Sequence, residues 1–116
     1  MFQSYRVPRE TLWLLSAALL LSIAGLPLVR SAAATEVKID NFSFGPAALT
    51  VPIGTTVTWV NRDDIPHTVV STDDPKTFKS KVLDTDEKFS FTFSKAGTYP
   101  YFCSIHPKMT GKVTVQ

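Results

Sequence analysis

Cys103, His106 and Met109 fall within seven residues of one another, in the run Cys103-Ser104-Ile105-His106-Pro107-Lys108-Met109. His67 stands far upstream, beside Pro66. Apart from Met1, these four residues are the chain's whole stock of histidine, cysteine and methionine. A thiolate, two imidazoles and a thioether make a soft nitrogen–sulfur donor set. Thiolate and thioether favour Cu(I), and imidazole accepts either oxidation state. A trigonal His2Cys arrangement with a weak, long axial Met therefore suits one copper ion that passes single electrons. A weakly held axial group lets the geometry stay nearly the same in both states, so electron transfer needs little rearrangement. Taken singly, each residue has a plainer explanation. Met and Cys are common core residues, and a buried His can be satisfied by backbone groups. Those explanations do not account for all four lying in two loops. Nor do they account for Pro66 and Pro107, whose stiff backbones would fix the histidines in advance.

Loops need strands to hold them. Val37 and Ile39 alternate with Glu36, Lys38 and Asp40, and Val57 and Trp59 with Thr56 and Thr58. Phe89, Phe91 and Phe93 alternate with Ser90 and Thr92, and Val113 and Val115 with Lys112 and Thr114. Period two in β-branched and aromatic residues is the pattern of half-buried strands. Pro52-Ile53-Gly54, Asp63-Asp64 before Pro66, Asp73-Asp74-Pro75 and Lys95-Ala96-Gly97 punctuate these runs as turns. The expectation is one all-β sandwich over residues 35–116. Lys76 to Lys81 is the least regular stretch and is expected to be a solvated surface.

The first 34 residues have a different character. Arg6 and Arg9 precede the apolar run Leu12 to Gly25, Pro27 breaks it, and Ala32-Ala33-Ala34 offers small residues for cleavage. This is the layout of a signal peptide, residues 1–34, removed after Ala34. Extended to Val29, the apolar run nears the lower limit for spanning a bilayer, so an uncleaved anchor is the alternative. Both readings place the folded part outside the cytoplasm, and membrane contact follows only if the leader is retained. The segment also accounts for the net charge of +2. It holds three arginines against Glu10, which leaves nine basic and nine acidic residues in the rest of the chain. A neutral domain lacks the concentrated basic face of a nucleic-acid binder. A lone thiol in an oxidising compartment also needs an occupation, and a metal–thiolate bond supplies one.

The run Thr56-Val57-Thr58-Trp59-Val60-Asn61-Arg62 followed by Pro66-His67 resembles the type I (blue) copper proteins of the cupredoxin family. So do Gly97-Thr98-Tyr99 leading through Tyr101-Phe102 to Cys103, and Met109 running on to Gly111-Lys112-Val113. The short C-x2-H-x2-M loop is similar to that of amicyanins. The resemblance implies an eight-stranded Greek-key sandwich with copper at one end, held by His67, Cys103 and His106 as strong ligands and Met109 as the axial one. It implies a monomeric periplasmic shuttle between a dehydrogenase-type donor and a cytochrome c-like acceptor. It also implies that the His106 ring edge reaches solvent through an apolar patch, with Pro66, Pro107 and Phe44 as candidate members. Two departures stand out. Thr68 occupies the place of an Asn that ties the ligand loops together, and its shorter hydroxyl is expected to bridge less well. Ile105 replaces a Pro and restores a backbone N–H, which is expected to reach the Cys103 sulfur.

The rival functions need features that are missing from the sequence. A multicopper enzyme requires histidines beyond the two already assigned, and a Cys–His hydrolase requires a substrate pocket and an orienting third group, neither of which is visible in the sequence. Copper delivery or storage would use the same ligands, but typically in a looser, exposed Met- or Cys-rich site. Structural zinc accepts Cys and His and seldom a thioether.

Overall fold

The computed structural model describes residues 34–116. The export segment therefore lies outside the described residues, except for Ala34. The eight strands are β1 (Ala34–Asp40), β2 (Ser43–Gly45), β3 (Ala48–Val51), β4 (Thr56–Asn61), β5 (Val70–Ser71), β6 (Lys88–Thr92), β7 (Gly97–Phe102) and β8 (Thr110–Val115). They form two four-stranded sheets, in the orders β2-β1-β4-β6 and β3-β8-β7-β5. Pairing is antiparallel except for β1 with β4 and β3 with β8. The chain repeatedly crosses between sheets, so both faces of the sandwich are filled from distant parts of the sequence, as the expected Greek-key class requires.

Alternation drives this arrangement. In β4, Val57 and Trp59 point inward and are fully buried. On the outer face the Thr56 and Thr58 hydroxyls pair with Thr92 and Ser90 of β6, each at 2.7 Å. Such cross-strand pairs fix the register, since a slip of one residue would turn Trp59 out to solvent. Trp59 stacks on Phe78 at 5.5 Å and meets Tyr101 edge-on at 5.4 Å, which joins the two sheets.

The stretch Lys76 to Lys81 departs from expectation. Its lysines are exposed, but Phe78 and Ser80 between them are buried. Ser80 N–H donates to Val69 O at 2.8 Å, and the Ser80 hydroxyl accepts Val69 N–H at 2.8 Å. From Phe78 to Lys81 burial alternates, with Phe78 and Ser80 inward and Lys79 and Lys81 outward. The segment braces the residues that follow His67.

Tyr101 pairs with Gly111 across β7 and β8, and its ring lies over that glycine. A methyl group at position 111 would overlap the ring. Gly111→Ala is expected to destabilise the fold by about 1–3 kcal/mol, the usual cost of overpacking. A chemical denaturation midpoint equal to that of the unmodified protein would count against this packing.

Candidate metal centre

The site sits where the loop after β4 meets the loop between β7 and β8. Asn61 closes β4 and organises the first loop. Its Nδ2 donates to Ile65 O and Leu83 O, both at 2.9 Å, and its Oδ1 accepts Asp63 N–H at 2.9 Å. Fully buried, this side chain uses its donor and acceptor groups to satisfy backbone that would otherwise be costly to bury. His67 then exchanges two backbone hydrogen bonds with Leu83, at 3.1 and 2.8 Å. The second loop is a tight turn. Cys103 N–H donates to Met109 O at 3.0 Å, His106 N–H to Cys103 O at 3.2 Å, and Met109 N–H to His106 O at 2.9 Å. Three residues distant from one another in a strand pattern are thereby folded around one point.

His67, Cys103 and His106 converge, with their ligand atoms all within 4.8 Å of one another. Cys103 Sγ lies 3.7 Å from Nδ1 of each histidine. Donors about 2.0 and 2.3 Å from a shared first-row ion, 120° apart, lie about 3.7 Å from each other. The residues therefore fit a trigonal metal centre as they stand. His67 and Cys103 are fully buried, Met109 is 6% exposed, and His106 is half-buried.

Hydrogen bonding prepares the sulfur. Burial is the strongest influence on the Cys103 thiol and opposes its ionisation. The Thr68 N–H leads the hydrogen bonds that together outweigh burial and bring the thiol down to about 6. A thiol with that pKa is largely ionised at neutral pH and ready to bind metal. The sign of the stability effect follows from the depressed value. In the metal-free protein the thiolate contributes nothing below pH 6. Its contribution grows as pH rises from 6 towards the ordinary thiol value of about 8.5 and is complete above it. Ultraviolet thiolate absorbance of the metal-free protein should rise with a midpoint near pH 6. Unfolding midpoints should climb over pH 6–8.5 relative to Cys103→Ser. A thiol that titrates at its ordinary value would contradict this environment.

Three expectations about the surroundings are revised. Thr68 does tie the loops together. Its Oγ1 accepts Ser104 N–H at 2.7 Å, lies 2.7 Å from Ser104 Oγ and is 3.8 Å from Cys103 Sγ, while its own N–H reaches the sulfur at 3.4 Å. The two loops approach closely enough that a short hydroxyl suffices. Ile105 N–H makes no hydrogen bond to Cys103 Sγ. The turn closes through His106 N–H, it is the His106 amide that acts on the sulfur, and the Ile105 residue is 45% exposed. Phe44 is not part of the apolar rim. It is buried in the core, edge-on to Tyr101 at 4.7 Å. Phe42 takes that place, 53% exposed, with its ring edge-on to His67 and His106 at 5.8 and 5.1 Å. Asn61, Asp63, Ser104 and Phe42 were not foreseen as members of the surroundings. No signal in the sequence marks Phe42, because alternation alone would place it on the same face as Phe44.

An all-β sandwich carrying a His-Cys-His cluster at one end, with His67 and Cys103 buried, His106 half-buried and Met109 closing the same loop, defines a single-copper cupredoxin. The family described as copper-binding proteins of the plastocyanin/azurin family matches residues 31–116. Amicyanin-alpha of Methylorubrum extorquens is 36% identical over 106 residues, covering 87% of this chain and 89% of that protein. Chloroplastic plastocyanin of Tetradesmus obliquus is 36% identical over 110 residues, covering 82% and 76%. The structure of a purple cupredoxin from Nitrosopumilus maritimus superposes with a TM-score of 0.67 at 36% identity, covering 71% of this chain and 99% of that one. The chain belongs to the plastocyanin/azurin family of copper-binding proteins. Its cofactor is one copper ion, and its function is that of the family's electron carriers.

Proposed function

We propose that His67 Nδ1, Cys103 Sγ and His106 Nδ1 are the three strong ligands of that copper, with Met109 as its weak axial ligand, and that the protein is an exported, periplasmic carrier rather than an enzyme. The observation that carries the ligand assignment is the pair of 3.7 Å separations between the sulfur and the two ring nitrogens. Bound copper supplies a Cu(II)/Cu(I) couple. The protein's part is to hold the donors so firmly that the couple cycles with little movement. The hydrogen-bonded turn from Cys103 to Met109 and the Thr68–Ser104 tie do this. His106 is the exit for the electron, since it is the one half-buried imidazole and its ring adjoins the exposed Phe42. Exposed Ile105, Pro66 and Pro107 flank the two histidines in sequence and supply an apolar docking face. A dehydrogenase-type donor and a cytochrome c-like acceptor suit such a face.

Residues 1–34 serve as the export segment and 35–116 as the copper domain. Both histidines of the chain are committed to this one centre, which leaves none for a second, catalytic copper. Copper delivery or storage is the competing use of the same ligands. Incubating reduced, copper-loaded protein with a strong Cu(I) chelator separates the two. A carrier keeps its metal and its reversible voltammetric wave, whereas rapid and complete surrender of copper would show a delivery protein.

A further inference from the structure

Asp63 lies four residues before His67 and outside the donor set. Its Oδ2 is 2.9 Å from His67 Nε2 and accepts Phe42 N–H at 3.0 Å. The His67 ring is fully buried, so its second nitrogen needs a partner inside the protein. Nδ1 faces the sulfur and must keep a free lone pair to bind copper, so the ring proton belongs on Nε2. An ionised carboxylate can only accept, so Asp63 selects that tautomer.

The same oxygen holds a second unusual feature. Asn41 and Phe42 both have left-handed backbones, with φ of 48° and 56°. Turns of this kind favour Asn-Gly, and a bulky aromatic residue is strained there. Phe42 N–H is tied to the carboxylate, and its ring is edge-on to both histidines. One carboxylate oxygen therefore joins the strained turn to the buried histidine. Shaping the local loop does not account for this oxygen. Asp63 N–H is taken by Asn61 Oδ1, Asp63 O accepts the Thr85 hydroxyl at 2.6 Å, and Asp64 N–H is taken by Asp63 Oδ1.

We infer that Asp63 is a positioning residue for the copper site, orienting His67 through Nε2–H and lowering the reduction potential by placing a negative charge behind that ligand. A carboxylate hydrogen-bonded to an imidazole makes the ring a stronger donor and stabilises Cu(II) more than Cu(I). The inference rests on His67 being a ligand.

The test uses Asp63→Asn and Asp63→Ala, with Asp64→Asn as a control that removes the adjacent exposed charge. Nitrogen-15 NMR of the diamagnetic reduced protein reports the His67 tautomer, and voltammetry reports the potential. Asp63→Asn keeps an acceptor, so it should retain copper and the Nε2–H tautomer while shifting the potential positive by more than Asp64→Asn does. Asp63→Ala should also shift the potential positive, and the His67 Nε2–H should exchange faster with solvent. An Asp63→Asn potential equal to that of the unmodified protein or of Asp64→Asn overturns the inference, provided NMR shows copper on His67 Nδ1. An unmodified protein whose His67 Nδ1 carries no copper overturns the ligand assignment instead.

Discussion

Cys103→Ala will leave the copper-loaded protein without its intense visible absorption and unable to cycle reversibly. The thiolate supplies both the strongest bond and the charge-transfer transition that gives such centres their colour, and no other thiol exists in the chain. The loss should come from chemistry and not from unfolding. Alanine at this position keeps the backbone hydrogen bonds of Cys103 to Met109 and His106, which use main-chain atoms only. Removing one buried sulfur from the core costs on the order of 1–2 kcal/mol, well below the stability of an ordinary domain. Visible spectra at equal copper loading, with circular dichroism as the check on folding, decide the matter. A folded Cys103→Ala protein that remained intensely coloured would remove Cys103 from the ligand set.

Met109→Leu should behave differently. Leucine and methionine have similar volumes, and such exchanges in a core usually cost less than about 1.5 kcal/mol. Met109 is buried within the hydrophobic core cluster, and its backbone is held by Cys103 and His106, so the loop should survive. What is lost is a weak donor. Without it the more highly charged Cu(II) loses more stabilisation than Cu(I), and the reduction potential should rise while copper and colour persist. Voltammetry of the two copper-loaded forms measures the shift. If Met109→Leu lost copper and colour as Cys103→Ala does, the division into three strong ligands and one weak one would be wrong.

The contrast between these variants rests on what could be read from the residues alone. His67, Cys103, His106 and Met109 were legible because their side-chain types are scarce and their chemistry is specific. Strands β1, β4, β6 and β8 were legible because Val37, Trp59, Phe91 and Val113 sit in strict alternation with polar neighbours. Strands of two to four residues, such as β2, β3 and β5, are too short to show a period. Lysines at the outward positions of Lys76 to Lys81 concealed Phe78 behind an apparently charged run.

Tertiary geometry decided the remainder. Phe42 and Phe44 share the same parity, and alternation alone would place both on one face. The two left-handed residues at Asn41 and Phe42 break the pleat, so Phe44 enters the core and Phe42 turns to the histidines. Whether Thr68 reaches across to Ser104, or an Ile105 amide reaches sulfur, depends on tenths of an ångström in a turn that no spacing encodes. The Asp63–His67 contact is equally invisible, since a separation of four residues implies proximity in a helix but not in a loop.

The most direct test is the visible spectrum of the purified protein loaded with increasing copper and then taken through repeated reduction and reoxidation. The predicted result is an intense thiolate-to-copper band that saturates at one copper per chain, bleaches on reduction and returns undiminished on oxidation. Saturation at a different ratio, or a colourless copper complex, would contradict a single His67, Cys103, His106 and Met109 electron-transfer centre.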